Sequence, residues 1–127
     1  MTTNDRPKIK SFTDLFAWQE GHKLVLTIYK ETENFPNKEA FGLISQMRRC
    51  SISITSNIAE GFSRSTNKDK YQFYSMAQGS LTELQNQLLI ARDIGYLTNN
   101  KFQEIANQTI IVNKLINGLK KIKDTKY

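Results

Sequence analysis

Apolar residues recur along this chain in steps of three and four, which is the spacing of residues on one face of an α-helix. The clearest run consists of Tyr74, Ala77, Leu81, Leu84, Leu88 and Ala91. The 127 residues include only 6 Gly and 2 Pro, and the alternation that is typical of β-strands is rare. The sequence therefore predicts an all-α protein.

Three breaks divide the helical pattern. The first is at Phe35-Pro36, because proline disfavours a helical conformation in the residue before it. The second is at Gly61 and the polar residues that follow it, and the third is at Gly95, where a left-handed conformation can end a helix. Four helices are predicted, over residues 13–34, 38–62, 67–94 and 99–122.

Helices of this length joined by short turns favour an antiparallel up-down-up-down four-helix bundle. We predict one such domain over residues 12–123, preceded by a flexible basic arm at 1–11 and followed by a frayed tail at 124–127. The predicted core residues outside the run above are Leu15, Trp18, Val25, Tyr29, Leu43, Met47, Ile54, Ile58, Phe102, Ile105, Val112, Ile116 and Leu119.

The second predicted helix also carries a polar row beside its apolar stripe. At about 100° per residue, this row contains Gln46, Arg49, Ser53, Asn57, Glu60 and Arg64. In an antiparallel hairpin, Glu83 of the third helix lies near Gln46 and Arg49, and Gln78 lies near Ser53. Gly79 is expected to let the two helices approach closely.

Two interpretations of this polar row stay open. The first is a structural polar network that fixes the register of the two helices, as buried polar residues do in coiled coils. Its predicted members are Gln46, Ser53, Asn57, Glu60, Gln78, Ser80 and Glu83. The second is a site that presents Arg48, Arg49 and Arg64 to phosphate. Ion pairs of Arg49 with Glu83 and of Arg64 with Glu60 compete with that external ligand.

The sequence offers little catalytic chemistry. The single histidine, His22, has the spacing of the apolar seam of the first helix and is interpreted as a packing residue. The lone Cys50 is interpreted as a small core residue, and it fits a reducing cytoplasm. No phosphate-binding glycine loop or zinc-ligand spacing is present. We therefore predict a protein that is not an enzyme and that uses no metal or cofactor.

Positive charge is the second feature that bears on function. The chain has 18 Lys and Arg against 12 Asp and Glu, which gives a net charge of +6. In the predicted bundle both termini and the second turn lie at one end. The cations gathered there, which we call the basic pole, are Arg6, Lys8, Lys10, Arg64, Lys68, Lys70, Lys120, Lys121, Lys123 and Lys126. Because no aromatic residues are interleaved with them, we expect salt-sensitive binding to nucleic-acid backbones.

Other features bear on location and assembly. The N-terminus lacks an apolar signal segment, and no apolar run reaches the length of about 18 residues that spans a membrane. A cytoplasmic protein is therefore expected. Apolar residues outside the main stripes suggest self-association, and they are Ile52, Phe62, Phe73, Ile110 and Ile111.

The order of several motifs resembles a known bacterial family. The motifs are Phe12-Thr-Asp-Leu15, Ala17-Trp-Gln19, Tyr29, Phe35-Pro36, Glu39-Ala-Phe-Gly-Leu43, Gln46-Met-Arg-Arg49, Ser53-Ile54, Asn57-Ile-Ala-Glu-Gly61, Tyr71-Gln-Phe-Tyr74, Ala77-Gln-Gly-Ser-Leu81 and Glu83-Leu84. Together they resemble the four-helix-bundle proteins associated with intervening sequences in 23S ribosomal RNA, which are often labelled S23 ribosomal proteins. The resemblance covers residues 12–97, and the last helix matches only in character.

This resemblance implies a four-helix bundle that assembles into a ring, with a pentamer as the expected form. A related branch comprises accessory proteins of diversity-generating retroelements, which are basic barrels that bind nucleic acid and a reverse transcriptase. The present chain is less basic than that branch. Our leading hypothesis is a non-catalytic homo-oligomer that binds RNA or DNA weakly through the basic pole. The alternative is a protein-interaction scaffold, and a nucleic-acid-processing enzyme that depends on His22 is a third hypothesis.

Overall fold

A computed structural model describes residues 8–122 of the chain. This part contains four α-helices, which are α1 (Phe16–Thr32), α2 (Leu43–Ser63), α3 (Asn67–Asp93) and α4 (Asn99–Lys121). Each helix packs against its two neighbours, since α1 and α3 both contact α2 and α4. The predicted all-α fold, an antiparallel four-helix bundle, is therefore confirmed.

The first helix begins later than the predicted residue 13. A 3₁₀ turn at Phe12–Asp14 precedes it, and Ser11 caps this turn by accepting a hydrogen bond of 3.0 Å from the Thr13 N–H. The Asp14 carboxylate accepts from the backbone N–H groups of Lys10 and Ser11, and these bonds lower its pKa. Ser11 and Asp14 therefore form a capping box that stabilises the turn before α1.

The second helix begins at Leu43, where the sequence predicted a start near residue 38. A 3₁₀ turn occupies Asn37–Glu39, and the Glu39 carboxylate accepts a hydrogen bond of 3.1 Å from the Leu43 N–H. The carboxylate also accepts from the Tyr96 hydroxyl at 2.8 Å. Glu39 therefore provides a hydrogen-bond acceptor for a backbone N–H group in the first turn of α2. It also links the α1–α2 connection to the α3–α4 connection.

The core follows the predicted stripes in α2, α3 and α4, but α1 has a different register. The buried residues of α1 are Ala17, Gly21, Leu24, Val25, Ile28 and Thr32. Tyr29, which we expected in the core, is exposed, and Trp18 is only partly buried. The expectation included Trp18 and Tyr29, whereas the buried face of α1 combines Leu24 and Ile28 with the small residues Ala17 and Gly21.

Close approach between helices occurs at Gly21 and Gly61. A Cβ atom added at Gly21 would lie 3.0 Å from Thr55 Cγ2, and one at Gly61 would lie 2.7 Å from Tyr74 Cε1. At Gly79 an added Cβ would meet nothing within 4 Å. The expectation that Gly79 permits the contact of α2 with α3 is therefore wrong, and Gly61 has that role.

Candidate nucleic-acid interface

The polar row of α2 meets α3 through a small hydrogen-bonded cluster. The hydroxyl groups of Ser53 and Ser80 are 2.8 Å apart. The Asn57 amide donates to the Ser53 carbonyl at 2.9 Å and to the Ser53 hydroxyl at 3.2 Å. These three predicted network residues are together, and they join the two helices at one level.

Four other predicted network residues are outside this cluster. Gln46 and Glu83 line an open groove between α2 and α3 together with Arg49, Ser53 and Ser80, as the predicted hairpin requires, but both side chains are exposed. Glu60 is exposed and pairs with Arg64 at 2.6 Å. Gln78 was expected beside Ser53, but its side chain faces α4. Gln78 precedes Ser80 by two residues, so the two side chains are about 200° apart around the axis of α3.

The groove between α2 and α3 has a volume of about 580 Å³. Its floor includes Cys50, whose thiol donates to the Ser80 carbonyl at 2.9 Å. Burial, followed by the nearby Glu83 carboxylate, raises the pKa of this thiol to about 12. The thiol therefore stays protonated at neutral pH and is a poor nucleophile.

The two adjacent arginines of α2 have different roles. Arg48 donates to the Thr32 hydroxyl at 2.9 Å and to the Tyr29 carbonyl at 3.2 Å, so it caps the end of α1. Its guanidinium also lies 4.5 Å from the centre of the Tyr29 ring. Arg49 is exposed on the groove, and within residues 8–122 it forms neither a salt bridge nor a hydrogen bond with Glu83.

The basic pole is assembled at one end of the bundle. Ile9, Phe62, Tyr71 and Ile122 line the same pocket, which brings the N-terminal segment, the α2–α3 turn and the end of α4 together. Lys8, Lys10, Lys68 and Lys121 are exposed there. Arg6, Lys123 and Lys126 lie outside the described residues.

The remaining three cations of the pole have intramolecular partners. Arg64 pairs with Glu60, and its guanidinium lies 4.5 Å from the centre of the Phe73 ring. Lys70 donates to the Phe62 carbonyl at 2.7 Å, at the negative end of the α2 dipole. Lys120 donates to Gln78 Oε1 at 2.7 Å.

A polar ladder between α3 and α4 continues from the pole, and the sequence reasoning missed it. The Gln78 amide donates to Asn117 at 2.7 Å and to Asn113 at 3.0 Å. The Lys120 ammonium lies 4.5 Å from the centre of the Tyr71 ring, which is 53% exposed. The sequence does contain a pattern that could have predicted this ladder, since the spacing of Asn113, Asn117 and Lys120 places them on one face of α4.

Groups that could perform other chemistry are separated in this structure. His22, which was expected in the apolar seam, is exposed and stacks on Trp18 with ring centres 4.7 Å apart. Within residues 8–122 no group of three or more His, Cys, Asp or Glu side chains could hold a metal ion. None of the helices in the described region is long and apolar enough to cross a membrane.

Known proteins place the chain in a family. The family model for the 23S rRNA-intervening sequence protein matches residues 13–118. A crystal structure of a protein of unknown function from the S23 ribosomal protein family of Bacteroides thetaiotaomicron is similar in fold, with a TM-score of 0.76 and 20% identity. That similarity covers 84% of this chain and 96% of the other. None of the curated proteins matches the chain. Because the family match extends through α1, α2 and α3 and into the last turn of α4, the chain belongs to the 23S rRNA-intervening sequence protein family, as its motifs predicted.

Proposed function

We propose that the protein is a non-catalytic homo-oligomer, with a pentameric ring as the favoured form, that binds RNA or DNA through its basic pole. Binding is directed mainly to the phosphate backbone and is therefore weakly selective for sequence. The name of the family, which refers to intervening sequences of 23S ribosomal RNA, agrees with a nucleic-acid context. The observation that carries the proposal is the uneven distribution of charge along the bundle.

The two ends of the bundle differ in net charge. At the pole, residues 8–19, 60–71 and 118–122 contain seven basic side chains and three carboxylates. At the opposite end, residues 29–46 and 90–102 contain four of each, and the Arg48 guanidinium, which reaches Tyr29 and Thr32, adds a fifth basic group. Lys101 at that opposite end also forms salt bridges with Glu31 and Glu104. The excess positive charge at the pole favours polyanions, because bound cations release counterions from phosphates.

The environments of the reactive side chains support a non-catalytic role. The Cys50 thiol has a pKa of about 12 and donates to a backbone carbonyl. The Glu60 carboxylate is paired with Arg64, and His22 stacks on Trp18 away from the polar row. Each of these groups therefore has a neighbouring partner within the chain, and this supports binding as the proposed activity.

The proposal is tested by the salt dependence of binding. A double variant, Lys68→Gln with Lys121→Gln, removes two exposed charges of the pole, and Lys30→Gln with Lys38→Gln is the matched control at the opposite end. The slope of log affinity against log salt should become shallower by about 0.7 per lost contact for single strands and 0.9 for duplex DNA. The control variant should keep the original slope. Undetectable binding at low salt, or equal effects of the two variants, would contradict the proposal.

A protein-interaction scaffold is the second candidate, and exposed apolar side chains favour it. Phe41, in the α1–α2 connection, is 98% exposed, and Ile52, Ile110 and Ile111 are also exposed. Partner capture that persists after the basic pole is neutralised would support this alternative. Light scattering tests the oligomer separately, since a mass of one chain, 14.7 kDa, would exclude a stable ring.

A further inference from the structure

We infer that the pocket at the basic pole receives one unpaired base of a single-stranded nucleic acid, with Tyr71 as the stacking surface. This inference rests on the proposed function and identifies the form of nucleic acid that the pole prefers. Three features carry it, namely the aromatic walls of the pocket, the position of its two lysines and the exposure of Tyr71.

The walls of the pocket suit a flat apolar ring. The pocket has a volume of about 240 Å³, and Phe62, Tyr71 and Tyr74 contribute three aromatic side chains to it. Tyr74 is 4% exposed and packs against Gly61, so this wall is fixed by the core. Leu119 and Ile122 of the α4 end complete the apolar lining. A bare phosphate would lose its hydration against these walls, whereas a base would gain apolar contact.

Two ammonium groups belong to the same pocket and keep their charge available. Lys70 is held by the Phe62 carbonyl at 2.7 Å, and Lys120 is held by Gln78 Oε1 at 2.7 Å. Both acceptors are neutral, and within residues 8–122 neither lysine forms a salt bridge with a carboxylate. Each can therefore attract the phosphate attached to an inserted base.

The exposed surface of Tyr71 is the third feature. The Lys120 ammonium lies over its ring at 4.5 Å from the centre, yet 53% of the residue remains exposed. The contact of Tyr71 with Lys120 corrects the expectation that no aromatic residues lie among the cations of the basic pole. Aromatic rings beside basic side chains are the usual platform for single-stranded nucleic acids, since each base has a π-face. The bases of a duplex are already paired and stacked, so the pocket selects unpaired ones.

The decisive experiment separates bases from phosphates. Fluorescence anisotropy compares a fluorescein-labelled oligothymidylate with an abasic oligodeoxynucleotide of equal length, which has the same phosphates and no bases. The wild-type protein should bind the base-containing strand about 5- to 150-fold more tightly, the range for one stacked base. Tyr71→Leu should remove this preference, so that the variant binds the two strands with equal affinity. Tyr29→Leu is the matched control, because Tyr29 is also exposed beside an arginine but lies at the other end of the bundle.

The outcomes distinguish this inference from the function on which it rests. Equal binding of the two strands by the wild-type protein would overturn the base pocket, and this result needs no variant. If that occurs while Lys68→Gln with Lys121→Gln weakens both strands, the proposed function stands without the pocket. If neither strand binds at low salt, the proposed nucleic-acid binding is itself contradicted, and the base pocket that rests on it is contradicted as well. Tyr71→Phe keeps the ring and should keep the preference, and its loss there would also overturn the stacking role.

Discussion

The contact between α2 and α3 at Gly61 gives a prediction that can be worked out from distances. In Gly61→Ala the new Cβ would lie 2.7 Å from Tyr74 Cε1, 3.0 Å from Tyr74 Cδ1 and 3.1 Å from Phe73 Cβ. Favourable carbon contacts are about 3.5–4.0 Å, so the Tyr74 ring must move by up to about 1 Å in a packed core. Overpacking of this kind typically costs about 1–3 kcal/mol.

The matched control is Gly118→Ala, which also lies near the C-terminal end of a helix. An alanine there, or at Gly79 in the middle of α3, would meet nothing within 4 Å. Both controls should gain up to about 1 kcal/mol from helix propensity. Gly61→Ala should therefore be about 1–3 kcal/mol less stable than Gly118→Ala in urea unfolding at equal protein concentration. Equal stability of the two variants would refute the packing argument.

Three further predictions concern single side chains. Arg48→Ala should lower the free energy of unfolding by about 1–3 kcal/mol, because the end of α1 loses two hydrogen bonds, and Arg48→Lys should not restore them. The pKa of Glu39 is lowered by hydrogen bonds from the Leu43 N–H and the Tyr96 hydroxyl. The ionised Glu39 carboxylate therefore stabilises the folded protein above the usual carboxyl pKa of 4.5. This stabilisation is lost as the pH falls through the lowered pKa. Thermal unfolding of Glu39→Gln should accordingly depend less on acidic pH than that of the wild type. Cys50 should react with a thiol reagent at pH 8 much more slowly in the native protein than in the urea-unfolded protein, since burial raises its pKa to about 12; equal rates in the two states would contradict its buried position.

Most of the helical architecture could be predicted because large apolar side chains mark it. The six residues of the run in α3, from Tyr74 to Ala91, are all buried. The register of α1 is less evident from the sequence, because large apolar or aromatic side chains occur on more than one face of this helix. Leu24 and Ile28 are buried together with Ala17 and Gly21, whereas Tyr29 is exposed. The start of α2 depends on the Glu39 side chain, and its hydrogen bond to Leu43 follows from the path of the connection.

The polar network shows a related limit. The expected pairing of α2 with α3 placed the right levels together, since Ser53 does meet Ser80. It assigned Gln78 to the wrong neighbour, because position along a hairpin fixes the level of a residue but the rotation of α3 decides which helix it faces. The same rotation brings Gln78 to Lys120 and creates the polar ladder beside Tyr71.

The charges of the basic pole explain why a binding surface is harder to predict than a fold. Lys68 and Lys70 are two residues apart, and neither their residue type nor their spacing predicts different roles for them. In the structure Lys68 is exposed, whereas Lys70 donates to the carbonyl groups of Phe62 and Gly61 at the end of α2. Lys70 therefore stabilises the turn that shapes the pocket, and Lys68 adds charge beside it. Since a capping lysine and a free lysine have the same formal charge, only their acceptors show that Lys70 offers its charge from a fixed position, whereas the Lys68 side chain is free to follow a polyanion.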